Sequence, residues 1–425
     1  MPLEFYLLIL MIAAFALAVF LGKFPIGVSL AISSIIGALA GGYGLPLRHL
    51  VEGSFAYLDA ILIIASAMVF MEIIKETGAL GEISRLIIIH LNHRPFWMLS
   101  LITLFIMFPG MITGLSSACV LTTGAIVAPA LLHLGLPRVK VGAIIAMAAL
   151  YGMIAPPINV PVMIIGGGVD MPYIGFDLPL LFATLPLAIV TTLFLGYSYV
   201  RTVDIEKIKI EMSEFQLDHR SARLFIPIGI VIVLMLVSRI FPNDYTSLGM
   251  PLIFFIGSLA AYRSGRDFNF VTVARKAVHN ALPVMGILIG IGMFIQVMSL
   301  TGVRGYLIVN AVKLPSFWLF VGIMFSLPLF GAISSYGASY VLGVPFLLAL
   351  LGRNEIIVAS GLTLIASLGD LMPPTALAGI FAAQVVGEPS YFKILKVCLP
   401  YAVLIALYGI GMILFANPLA KFLVF

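Results

Sequence analysis

The chain has 425 residues, of which 62% are apolar and only 10% charged, with a formal net charge of +5. Soluble domains carry roughly 25% charged residues, so this composition excludes a soluble globular protein and predicts a polytopic, all-α membrane protein. The basic balance is explained by the positive-inside bias of membrane proteins without invoking nucleic acid. The only cysteines, Cys119 and Cys398, sit in apolar segments and support neither a disulfide framework nor a metal site.

From the N-terminus, the first apolar run lacks the basic leader and small-residue cleavage site of a signal peptide and reads as a retained crossing. Apolar runs predict crossings over residues 3–21, 25–42, 56–74, 178–200, 224–241, 248–262, 278–299 and 397–416, measured against the ~20 residues that a bilayer requires. Two further crossings, 141–169 and 356–387, are broken by Pro156-Pro157 and Pro373-Pro374. The stretches 96–135 and 315–351 are too long for one crossing. Each turns at a Gly/Ser cluster, Thr113-Gly114-Leu115-Ser116-Ser117 and Gly331-Ala332-Ile333-Ser334-Ser335-Tyr336-Gly337. They read as re-entrant hairpins, with arms of about half to three-quarters of a bilayer. A more polar interfacial arm precedes each hairpin, over 79–93 and 302–313, and the lead-ins Phe70–Gly78 and Phe294–Gly302 match.

Each half therefore holds three crossings, an arm, a hairpin, a broken crossing and a final crossing. The first repeat spans 1–200 and the second 224–425, with the proline pairs offset by 217 residues and the serine pairs by 218. Five crossings is an odd number, so the second repeat is inverted relative to the first. With the N-terminus outside, seventeen lysines and arginines face the cytoplasm and six face outward, which places both termini outside. The joining segment, 201–223, carries ten charges that balance to zero and has apolar residues near helical spacing. It predicts a short amphipathic linker on the inner surface.

Breaks at matched points of a repeat free backbone groups that lipid does not solvate, an arrangement tolerated where they line a polar cavity, as in the binding site of a secondary transporter. The substrate-binding candidates are Thr113, Gly114, Ser116 and Ser117 at the first tip, Ser334 and Ser335 at the second, and Asn159 just past the first break. The candidates for a sodium site are Thr113, Ser116, Ser334, Ser335, Asp370 and Thr375, with the opened backbone at Gly152 and Pro156. Asp370 lies sixteen residues past Asn354, ~24 Å into its span. An unpaired carboxylate at that depth costs at least ~2.5–3.5 kcal/mol, so the residue is functional by default. Hard oxygen ligands suit sodium; the competing roles for Asp370 are a proton site and a cap on freed N–H groups. No lysine or arginine lies at either tip or break, so an anion would be held by helix N-termini and bound cations.

Enzyme readings fail on motif. No His-Glu-x-x-His helix and no Walker A sequence is present, and Ser367-Leu368-Gly369-Asp370 lacks the first glycine of an intramembrane aspartyl protease motif. A membrane-embedded enzyme or scaffold stays as the alternative from another class.

Ala148–Gly168, with Gly152 before Pro156-Pro157 and Pro161 after, resembles the first broken helix in the large membrane subunit of tripartite ATP-independent periplasmic (TRAP) transporters. Thr113-Gly114, the run to Gly124, and Pro129–Gly135 are similar to that family's first hairpin. Leu224–Gly302, and Leu371–Thr375 through Lys396–Pro400, continue the resemblance over essentially the whole chain. There are departures. Thr113-Gly114-Leu115 stands where Ser-Gly-Ser is usual, Ala148-Ala149 replaces a serine pair, Cys119 replaces an acidic residue, and Asp370 is outside the usual Gly-Leu-Thr-Pro-Pro pattern. The resemblance implies an elevator carrier in the inner membrane that works with a four-helix small subunit and an extracytoplasmic solute-binding protein. Its implied cargo is a small organic acid driven inward by sodium. A self-sufficient sodium- or proton-coupled organic anion carrier of the ion transporter superfamily is the alternative.

Overall fold

The computed structural model describes residues 2–91, 93–200, 221–241, 248–262, 264–265, 267–373 and 375–424. Among them every regular element is helical, apart from one isolated bridge between Leu351 and Arg353. The linker expected over 201–223 lies outside the described residues as far as Ser221, where the helix Ser221–Ile240 begins.

Six described helices are long and apolar enough to cross a bilayer: Leu3–Phe20, Pro95–Thr113, Ser116–His133, Asp177–Val200, Phe270–Leu300 and Tyr391–Leu414. The pair Leu47–Phe55 and Leu58–Glu76, bent by 43°, is together long and apolar enough for a seventh. Ten crossings were expected, and the differences have physical causes. The arms of the first hairpin run 19 and 18 residues, span length in themselves and longer than half to three-quarters of a bilayer. Ile26–Ala40 has only 15 residues, because Pro25 starts it and Gly41-Gly42, the second glycine at φ 81°, ends it.

The span expected to start at residue 278 starts at Phe270 and runs 31 residues to Leu300. Asn269 sets that start: its side chain accepts a hydrogen bond from Thr272 N at 3.0 Å. The charges that follow end the apolar run in the sequence but not the helix. The first half carries the same feature in broken form, since Leu47–Phe55, outside the expected crossings, is a helix that leads into Leu58–Glu76.

Element order repeats from here on. Arm, hairpin, broken helix and long final helix occur as Ala79–Leu91, Pro95–His133, Arg138–Gly167 and Asp177–Val200, then as Val303–Lys313, Ser316–Ala349, Glu355–Val386 and Tyr391–Leu414. The broken helices form the centre. Every residue from Val141 to Ile154, and every one from Ile357 to Leu371, is buried. Both segments are apolar and small-residue-rich on all sides, which suits a helix surrounded by protein. Leu3–Phe20, by contrast, is only 28% buried and turns most of its apolar surface outward.

Glycines bring the halves into backbone contact. A Cβ on Gly292 of the long helix would lie 2.0 Å from Gly53 O, and one on Gly290 would lie 2.3 Å from Gly27 O. Close approach of this kind replaces side-chain interdigitation where lipid supplies no hydrophobic drive between helices. It makes Ile26–Ala40, Leu47–Phe55 and Phe270–Leu300 one tightly packed unit.

Candidate functional site

Each tip is built by local chemistry. Pro95–Thr113 ends at Gly114, whose φ of 70° needs a glycine. Leu115 is extended, and the chain re-enters helix at Ser116–Cys119, passing through a π-helical turn, Val120–Gly124, into Ala125–His133. The second tip repeats this sequence of states 219 residues later: Ser335–Ala338, then a π-helical turn at Ser339–Gly343, then Val344–Ala349. Such π turns concentrate at functional sites. Ser334 caps the second tip by accepting from Gly337 N at 3.1 Å.

The breaks are satisfied by the hairpins. Ile158 N donates to Met111 O at 3.1 Å in the first half, and Thr375 N donates to Ala332 O at 3.3 Å in the second. The Thr375 hydroxyl reaches the same carbonyl at 2.7 Å. Asn159 closes the first break from both sides: Nδ2 donates to Ile154 O at 2.8 Å, and Oδ1 accepts from Val162 N at 2.9 Å. The Pro156-Pro157 bond is cis. Met372 and Pro373 continue the second break, with Pro374 outside the described residues.

The two tips meet at Asp370. This carboxylate, 6% exposed, lies in the 3-10 turn Ser367–Leu371. Ser116 Oγ donates to its Oδ2 and Ser335 Oγ to its Oδ1, so one side chain joins both hairpins. Tyr336 OH adds a direct bond between tips, donating to Gly114 O at 3.0 Å. A desolvated carboxylate with two hydroxyl donors is partnered but not neutralised, since no cationic side chain touches it among the described residues.

A cavity of about 540 Å³ opens on this junction, a size suited to a small molecule. Ser116, Ser117, Ser334, Ser335, Asp370 and Thr375 line one wall. The structure thus brings together six of the expected site residues, and it leaves the other five elsewhere. Thr113 turns its hydroxyl back to Pro109 O at 2.7 Å, and Gly114 offers its carbonyl to Tyr336. Asn159 and Pro156 lie within the first break, away from the cavity lining. Gly152 packs on the first hairpin, where a Cβ would lie 2.6 Å from Met107 O and 2.9 Å from Cys119 Sγ. Cys119 is a packing group there and accepts from Gly110 N at 3.0 Å.

The rest of the polar lining was not foreseen. It comes from Leu58–Glu76 and Phe270–Leu300 and includes Glu72, Lys75, Lys276 and Asn280. Lysine is absent from the tips themselves, but two lysines from distant segments reach the cavity that the tips form. In the sequence Lys75 and Lys276 enter only the count of lysines and arginines for topology. The available signal was the Glu72, Lys75, Glu76 triplet at a span's end, spaced to lie along one helical edge.

Residues 12–417 match the family model described as "Tripartite ATP-independent periplasmic transporter, DctM component". Eighteen chains of solved structures also match. Among them, the YdaH transporter of Alcanivorax borkumensis is similar in fold, with a TM-score of 0.57 and 14% identity over 87% of this chain and 88% of that one. A search of curated proteins found no match.

Proposed function

The chain belongs to the DctM component family of tripartite ATP-independent periplasmic transporters, and on that premise we propose that it moves a small organic anion inward together with sodium. Membership makes it the large membrane component of a secondary transporter that works with other subunits, in a family of transporter components and not of enzymes. The proposal adds the cargo, the coupling ion and the motion.

One observation carries it. A buried carboxylate is shared by two hairpin tips at the edge of a cavity of small-molecule size. An ionised carboxylate at membrane depth calls for a cation, and the hydroxyl oxygens of Ser116 and Ser335 bonded to it, with Thr375 on the same cavity lining, are hard donors suited to sodium. The ion's role would be to hold both tips against one charge, so that the substrate pocket is complete only when the ion is present.

The halves form an inverted repeat with both termini outside, in the inner membrane. The tight unit of Ile26–Ala40, Leu47–Phe55 and Phe270–Leu300 acts as scaffold, and the hairpins with the broken helices move against it as an elevator. A four-helix small subunit and an extracytoplasmic solute-binding protein complete the system, and the binding protein confers selectivity and near one-way uptake.

Reconstitution tests this. Liposomes with the chain, its small subunit and its binding protein take up a carboxylate only with an inward sodium gradient. Full-rate uptake by the chain alone would replace the tripartite reading with a self-sufficient carrier. Uptake indifferent to sodium and driven by a pH gradient would make Asp370 a proton site.

A further inference from the structure

The charges lining the cavity are not all matched in place. Lys276 Nζ lies 2.6 Å from Glu72 Oε1 and 3.6 Å from Glu76 Oε1, so its ammonium is committed. Glu72 is buried, and moving Lys276 away would strip it of its counter-charge. Two charges of opposite sign are left. Asp370 stands at the tips, bound only to hydroxyls. Lys75 lines the same cavity from Leu58–Glu76, exposed and with no carboxylate partner among the described residues.

From this pattern, which rests on the uptake reading above, we infer that Lys75 is the anion-binding group of the cavity: its ammonium takes the carboxylate of the organic acid while the cation is held at Asp370. A neutral cargo would leave the ammonium and the carboxylate both without a counter-charge in one cavity. An anion that enters with a cation matches both, each at its own wall. Lys75 also occupies the last turn of Leu58–Glu76, where the helix dipole favours positive charge. That contribution does not depend on a ligand, so the decisive readout is ligand dependence. The lysine belongs to Leu58–Glu76, which packs on Phe270–Leu300, and Asp370 to the second broken helix, so the anion would bridge two separate parts of the fold.

The test uses acylation of lysines by an amine-reactive reagent in the membrane-reconstituted protein, read residue by residue by mass spectrometry. Succinate, lactate and N-acetylneuraminate serve as carboxylate probes, succinamide as the uncharged control, and the exposed Lys421, outside the cavity, as reference. In sodium buffer at least one carboxylate slows acylation of Lys75 about tenfold, the scale of one charge-assisted hydrogen bond. Succinamide has no effect, and Lys421 reacts at an unchanged rate. In uptake assays Lys75→Gln raises the half-saturating concentration of that carboxylate about tenfold, leaves the half-saturating sodium concentration unchanged, and is largely rescued by Lys75→Arg. If none of the three carboxylates protects Lys75, the assignment is overturned whatever the transport result. An unchanged half-saturation in Lys75→Gln overturns it as well. Protection at Lys75 without sodium-driven uptake sinks the uptake reading instead and leaves the anion site standing.

Discussion

Ser116 donates its hydroxyl hydrogen to Asp370 across 254 residues of sequence. The bond ties the tip of the first hairpin to the break in the second broken helix, and Ser335 completes the junction from the other tip. A contact at the meeting point of both repeats makes a sensitive place to perturb coupling.

Asp370→Asn keeps the shape but removes the charge and leaves one acceptor oxygen for two serine donors. The loss of one buried hydrogen bond costs about 1–3 kcal/mol, so the variant still inserts and folds. The sodium concentration for half-maximal uptake rises severalfold, or uptake stops. Wild-type sodium dependence at normal rates would remove every ionic role from Asp370 and leave it a structural cap.

Tyr336→Phe deletes the bond to Gly114 O, which is the direct link between tips. A buried carbonyl is left without that donor, at a cost of about 1–2 kcal/mol. Thermal unfolding in detergent should shift down accordingly. In a double-mutant cycle with Ser116→Ala, a coupling of about 0.5–3 kcal/mol is expected, as for residues of one hydrogen-bond network. Strict additivity would show that the tips do not act as a unit.

Two glycines six residues apart on the same helix should behave oppositely. Gly292→Ala places a Cβ 2.0 Å from Gly53 O, so the two backbones must separate. Overpacking of this kind costs about 1–3 kcal/mol. Gly286→Ala meets nothing within 4 Å and is expected to be neutral or, through better helix propensity, stabilising by up to about 1 kcal/mol. Equal melting shifts for the two variants would contradict the close contact between Leu47–Phe55 and Phe270–Leu300.

Orientation is open to labelling. Single cysteines replacing Arg48 and Asp177 should react with an impermeant thiol reagent added to intact cells, and one replacing Lys207 should not. The native Cys119 and Cys398 are buried and free, which keeps the background low. External labelling at position 207 would reverse the orientation.

Much of the scaffold of this protein is written in local sequence. Gly114 at positive φ, the capping Ser334 and the proline pairs punctuate the chain within a few residues of themselves, so both tips and both breaks were legible from residue type and spacing. The repeated order of arm, hairpin, broken helix and final helix was legible for the same reason, because matched punctuation recurs at a nearly constant offset. Helix starts that depend on a cap followed by charge were harder: Asn269 begins a helix eight residues before the apolar run does.

Only the tertiary structure decided what the punctuation serves. Sequence spacing gave no sign that Ser116 and Ser335 share one carboxylate, or that Asn159 spends its amide bridging a break and not facing the cavity. Nor did it show that Lys75 and Lys276 look onto the tips from helices of opposite halves. Local conformation follows from backbone sterics and nearby hydrogen bonds, which a short window of residues specifies. Which distant side chains share a cavity follows from how whole helices pack, and here that packing is set by backbone contacts at glycines, which carry no side chain to advertise their partner.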